Sequence, residues 1–179
     1  MKTLFILIVA ILGAPAYSAS LSQQDQDKIM SKIKTVKDAF YANNFTVSIN
    51  MMPEQFFKHS KVSKSSMLAI ANKTMEKLKK AGKDKPPYKI ISLEYSNPSE
   101  SYQCKQSTIV FIPGKMMMEV KNQKISSNGF MIASRAKPES EWRLLDGAHP
   151  LARQTSFYDK MYGCQGVKLS IPRYSVKTL

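Results

Sequence analysis

Tyr95, Tyr102, Trp142 and Asp146 are the side chains best suited to chemistry inside a pocket, with Glu94 a further carboxylate beside Tyr95. Proton transfer needs a carboxyl or phenol group held against substrate, its pKa tuned by an apolar wall. Asp146, however, precedes Gly147, and Asp-Gly at the end of an extended run is ordinary turn chemistry. The two histidines, His59 and His149, fall in predicted loops with no Ser/Asp or Cys partner at a recognisable spacing. There is no Gly-x-Ser-x-Gly, no phosphate-cradling glycine loop, no His-Glu-x-x-His and no metal-binding Cys/His cluster. The expectation is a chain without catalytic residues, metal or cofactor, in which Tyr95, Tyr102, Trp142 and Asp146 line a pocket.

Cys104 and Cys164 are the only cysteines. Neither has a histidine or another cysteine near it, so a metal site is the weaker reading and one disulfide the simpler. Closing a loop of about 60 residues is worth up to ~4 kcal/mol in the chain-entropy model.

That pairing needs an oxidising compartment, and the N-terminus supplies the route. Lys2 is followed by an apolar run, Leu4 to Leu12, and then by Gly13-Ala14-Pro15-Ala16-Tyr17-Ser18-Ala19-Ser20. Charge, short apolar run and small residues are the three parts of a secretory signal. Nine apolar residues fall short of the about 20 that anchor a helix in a bilayer. The expectation is a signal peptide over 1–19, cleaved between 16 and 20, and a periplasmic or secreted product that does not span the membrane.

The 179 residues suit about one domain. Lys and Arg number 27 against 13 Asp and Glu, a formal net charge of +14. Such an excess draws the chain to nucleic acid, to an anionic envelope surface or to an acidic protein. Nucleic-acid modules interleave aromatics with basic residues; the densest basic run, Lys73–Lys85, contains none, and export removes the chain from cytoplasmic RNA and DNA. An acidic protein partner is expected instead. Lys77, Lys80 and Lys83 recur every three residues and share part of one helix face. Met51, Met52, Phe56 and Phe57 form a second candidate patch, since methionine suits adaptable surfaces, although packing into the core is the stronger reading of the Met-rich stretches.

The elements that must carry these residues follow from periodicity. Ile29, Ile33, Val36 and Phe40 form one face of a helix over about 21–42, ended by Asn43-Asn44. Pro53 suits the first turn of a short helix. A longer helix runs from Ser63–Ser66 to Ala81-Gly82, with Met67, Ala71, Met75 and Leu78 buried. From Tyr88 the period becomes extended. Strands are predicted over Tyr88–Tyr95, Tyr102–Ile112, Met116–Val120 and Lys124–Arg135, with turns at Asn97-Pro98-Ser99, Pro113-Gly114 and Asn122-Gln123. A last extended stretch runs from Glu141 to Gly147. A short helix follows over Leu151–Met161, and then an irregular tail.

The fold class expected is α+β: N-terminal helices packed on a curved antiparallel sheet, with a disulfide-tethered C-terminal tail. Residues 20–179 form one domain, its core over about 25–148 and its extension over 149–179. Helices first, a Pro-bounded aromatic turn at Met52-Pro53, the Met67–Leu78 helix, Gln103-Cys104, Ser134 and a closing Trp142–Gly147 resemble the nuclear transport factor two-like superfamily, in particular its small exported bacterial branch. The stretch Arg135-Ala136-Lys137-Pro138-Glu139-Ser140 departs from the Gly-rich turn such relatives have, and residues 150–179 have no counterpart. The resemblance implies a cone with a pocket between sheet and helices, a fold that hosts enzymes, small-molecule binders and protein-binding modules alike. The function expected is therefore a non-catalytic exported protein that binds a protein partner, for instance an immunity-type protein neutralising an antibacterial effector. The alternative is a small-ligand-binding protein or proton-transfer enzyme using the cone pocket.

Overall fold

The computed structural model describes residues 18–80, 88–139 and 141–179. The apolar run, Ala81-Gly82 and Pro86-Pro87 lie outside them. The fold is α+β with an antiparallel sheet.

The chain enters through a two-residue strand, β1 (Ala19–Ser20), and then α1 (Gln23–Tyr41). Ser22 caps α1, its hydroxyl accepting the Asp25 N–H at 3.2 Å. Ile29, Ile33, Val36 and Ala39 are its buried stripe, as the four-three spacing predicts, while Phe40 is half-buried. Asn43 takes a left-handed φ of 55° and ends the helix. A second helix that periodicity does not signal, α2 (Phe45–Met51), follows at once and buries Ile49. Its Thr46-Val47 pair has weak helix propensity, so burial rather than propensity holds it. Pro53 stands just ahead of α3 (Glu54–Ser60). Ser63 then starts α4 (Lys64–Lys80), its hydroxyl accepting the Ser66 N–H at 3.0 Å.

The strands are β2 (Tyr88–Tyr95), β3 (Glu100–Gln103), β4 (Ser107–Val120), β5 (Gln123–Ala136), β6 (Arg143–Asp146) and β7 (Ser175–Thr178). β4 and β5 pair along their whole lengths and form the centre of the sheet. Their hairpin turns through Lys121 and Asn122, both with positive φ (50° and 65°), the signature of a tight two-residue turn. Along its outer edge β4 pairs with β3 in its first half and β2 in its second, and β5 pairs with β7 in its first half and β6 in its second.

Three predicted boundaries are corrected. Tyr102–Ile112 is not one strand: the chain turns at 104–106, and Cys104 sits in that turn. Pro113-Gly114 is not a hairpin turn but the middle of β4, where Pro113 faces Phe130 and Gly114 faces Gly129. Proline is tolerated there because β4 is changing neighbours. Its ladder with β3 ends at Ile109, that with β2 begins at Gly114, and between them Pro113 accepts the Ser96 N–H through its carbonyl at 2.9 Å. Gly114 is required by close approach, since a Cβ would fall 2.6 Å from the Tyr95 ring. The tail, finally, is not irregular to its end. A 3₁₀ turn (Pro150–Arg153) leads to α5 (Thr155–Tyr162), and Ser175–Thr178 returns to the sheet as β7.

The first half of β4 is buried on both sides, from Ser107 to Ile112. By the pleat, Val110 and Ile112 face one way and Ile109 and Phe111 the other. The first face joins Met131, Ala133, Leu144 and Trp142 under α1. The second joins Ile132, Leu145 and the aromatic residues of α3 and α5. Helices thus cover both faces of the sheet.

The Cys104–Cys164 disulfide ties the β3–β4 turn to the end of α5 across 60 residues. Two backbone bonds flank it, from Lys105 N–H to the Gly163 carbonyl and from Gln106 N–H to that of Tyr162.

Candidate functional site

Two of the four predicted pocket residues converge. Where the C-terminal end of α1 passes the second half of the sheet, Tyr95 and Asp146 share a pocket with Phe40, Leu93, Phe130 and Tyr174, floored by Gly114, Met116, Ser127 and Gly129. Register explains the meeting: Tyr95 stands opposite Gly114, Gly114 opposite Gly129, and Asp146 opposite Met131 two residues further along. The glycines leave the space that side chains would fill. The cavity volume is about 110 Å³, well below the about 300–1,000 Å³ that encloses a drug-sized ligand.

Burial pushes the Tyr95 phenol far above its ordinary range, and the neighbouring Asp146 charge pushes it further. Burial also pushes Asp146 up, against the Ala148 N–H that its Oδ1 accepts at 2.8 Å and the nearby His149. That N–H bond is the Asp-Gly turn chemistry expected from the sequence. Among the described residues Asp146 has no ion-pair partner.

Tyr102 and Trp142 lie elsewhere. Tyr102 is a core residue on the opposite face, against Phe111. Trp142 is buried under α1, where its indole N–H donates to Asp25 Oδ1 at 2.9 Å. The same carboxylate accepts Arg135 Nη1 at 2.9 Å and Nη2 at 3.4 Å, and the guanidinium lies 4.6 Å from the Trp142 ring centre. Burial raises the Asp25 carboxyl, but the Trp142 bond, the Arg135 charge and the Ser22 hydroxyl outweigh it and hold the group below its ordinary value. This is a structural clasp between α1 and the last strands.

The patch over Met51–Phe57 is corrected as well. Phe56 and Phe57 are buried in the core rather than displayed as surface anchors, and Met51 and Met52 pack partly against the two core clusters. Among the described residues His149 accepts the Leu151 N–H through Nδ1 and meets the Phe56 ring edge-on.

Of the predicted lysine row, Lys77 is exposed on α4. α4 packs Met67, Leu68 and Ala71 partly against the core, yet none of its described residues is fully buried. On its outer side Ser66, Ile70, Lys73 and Lys77 follow helical spacing and are all exposed, Ile70 by 64%. Lys80 closes the helix three residues on, and Lys83 lies outside the described residues. An exposed Ile beside this lysine row is the feature that charge reasoning missed; its signal was an isoleucine off the Met67–Ala71–Met75–Leu78 stripe.

Among the described residues no group of three or more His, Cys, Asp or Glu is placed to hold a metal, and no helix is long and apolar enough to cross a membrane. Pocket residues that sequence reasoning missed are Phe40, which closes an otherwise ordinary core stripe, and Tyr174, which carries no local signal in the tail. Comparison with known protein families, with curated proteins and with solved structures matches the chain to none of them.

Proposed function

We propose that this chain is a non-catalytic, exported binding protein that engages an acidic protein partner through the outer face of α4. The observation that carries the reading is the stripe Ile70–Lys73–Lys77: a large apolar side chain left in water beside two exposed lysines on a helix with no fully buried described residue. An exposed apolar residue flanked by like charges gives a partner both a desolvated anchor and a steering field. The net charge of +14 selects acidic partners over basic ones. An immunity-type protein that neutralises an exported antibacterial effector is the concrete form of this function; a small, disulfide-stapled domain supports it. The cone-like reading draws support from the pocket between the first helix and the sheet.

Site-specific photocrosslinking tests the proposal. A photoreactive residue at position 70, in the exported protein within the cell envelope, is expected to give one discrete adduct with an acidic protein. The same residue at Val176, exposed on β7, is expected to give none. Absence of a discrete adduct at 70, or equal adducts at both positions, overturns the assignment.

The convergence of Tyr95 and Asp146 favours a second reading, small-ligand binding in the pocket.

A further inference from the structure

The pocket at the end of α1 combines features that a core gap does not need. Its lining carries three aromatic residues on the α1 side of the sheet, Phe40, Tyr95 and Tyr174, and one carboxylate, Asp146, while Phe130 borders it from the opposite-face core. Arg153 lies 4.0 Å from the Tyr174 ring centre, so one ring of the lining already engages a cation. Asp146 has only the Ala148 N–H as a hydrogen-bond partner and no counter-ion among the described residues. Lys115 also borders the pocket, but by the pleat it alternates to the other side of the sheet with its cross-strand neighbours Glu94 and Asn128, away from Gly114 and Met116.

We propose that this pocket binds a small methylated ammonium group, the head of a quaternary or tertiary amine. Aromatic rings attract a cation through their quadrupoles, and most strongly when water is excluded. Asp146, itself exposed to solvent at the end of β6, supplies the counter-charge. A primary ammonium carries three N–H donors that each need an acceptor. Asp146 and Ser127 are the only polar side chains on the pocket side of the lining, apart from the Tyr hydroxyls, so methyl groups suit the walls better than N–H groups. The cavity of about 110 Å³ suits such a head group and excludes a bulky ligand. This inference supplies the ligand class for the small-ligand reading. It stands apart from the α4 surface, which packs on the opposite side of the sheet; crosslinking at Ile70 and ligand binding here succeed or fail separately.

Isothermal titration calorimetry of the mature, disulfide-bonded protein with tetramethylammonium and with choline tests the inference. The control ligand is 3,3-dimethylbutan-1-ol, the uncharged isostere of choline, at equal ionic strength. Saturable binding of both cations, one per chain, is expected. Asp146→Asn keeps an acceptor for the Ala148 N–H and so preserves the turn; it is expected to weaken cation binding about threefold, the scale of one solvent-screened charge interaction. Phe40→Leu, which removes a ring from a half-buried position, is expected to weaken it too. The proposal is overturned if the wild-type protein shows no saturable binding, if the neutral isostere binds as tightly as choline, or if folded Asp146→Asn binds the cations unchanged.

Discussion

Trp142 Nε1 donates to Asp25 Oδ1 at 2.9 Å across 117 residues of sequence, and this one bond fastens the first helix to the last long turn of the sheet. Arg135 completes the clasp from β5, so a single carboxylate holds three elements. Removing it leaves a guanidinium and an indole N–H without their partner in a partly buried position. Asp25→Ala is expected to cost about 2 kcal/mol, read as a lower urea midpoint at unchanged slope.

The same carboxylate gives the clasp a pH dependence of definite sign. The folded-state pKa of Asp25 is depressed, so its stabilisation is fully present above the unfolded carboxylate value of about 3.9 and is lost as pH falls through the folded value. The stability gap between wild type and Asp25→Asn is therefore expected to be wide at neutral pH and to narrow in acid. An equal gap at both ends refutes the charge as the cause.

Two buried tyrosines in α5 make opposite predictions for the same substitution. Tyr158 gives its hydroxyl to the Ala152 carbonyl at 2.6 Å, whereas the buried Tyr162 hydroxyl makes no well-formed hydrogen bond among the described residues, Ser134 being its polar neighbour. Tyr158→Phe is expected to destabilise by about 1 kcal/mol, and Tyr162→Phe to be neutral or stabilising. Chemical denaturation of the two variants, side by side, reads the contrast directly.

The disulfide predicts a clean thiol assay. Labelling of native, unreduced protein should find no reactive thiol, because both cysteines are bonded and buried. Replacing both by alanine should lower stability by roughly 2–4 kcal/mol; detection of two reactive thiols in the native protein contradicts the pairing.

Under the proposed export, β1 limits where the N-terminus can be cut. Ala19 and Ser20 pair with Ser101 and Glu100, Ser101 Oγ donates to the Ala19 carbonyl at 3.3 Å, and Leu21, buried, gives its N–H to the Ser99 carbonyl at 3.1 Å. A cut after Ala16 or Ser18 keeps this strand and a cut after Ser20 removes it. Intact mass of the exported protein is expected to give a chain starting at Tyr17 or Ala19; a product retaining Lys2 and the apolar run refutes the export assignment.

Much of this architecture was legible because burial imposes period. Ile29, Ile33 and Val36 could only be one helix face, and Tyr88–Tyr95 begins and ends where the extended pattern does. Cys104 and Cys164, being the only two, had to find each other or nothing. What escaped was set by tertiary neighbours rather than local signals. Pro113-Gly114 has the composition of a turn, yet lies inside β4 because the strand beside it changes there. Phe56 and Phe57 left open a surface patch as well as the core beside a proline, and they fill the core because α3 turns them inward. Trp142 was assigned to the pocket for its chemistry, and nothing near it in sequence pointed to Asp25. Arg135, a departure from the resembled pattern, turned out to be part of that clasp.

The central claim is that the outer face of α4 binds an acidic protein, and charge reversal on that face tests it most directly. Lys73→Glu with Lys77→Glu changes two exposed residues, which contribute little to folding, so circular dichroism and the urea midpoint should hardly move. Association with the protein captured at Ile70, followed kinetically across a salt series, is predicted to slow by roughly tenfold or more and to lose much of its salt dependence. An unchanged association rate with unchanged salt dependence in the folded variant contradicts the claim.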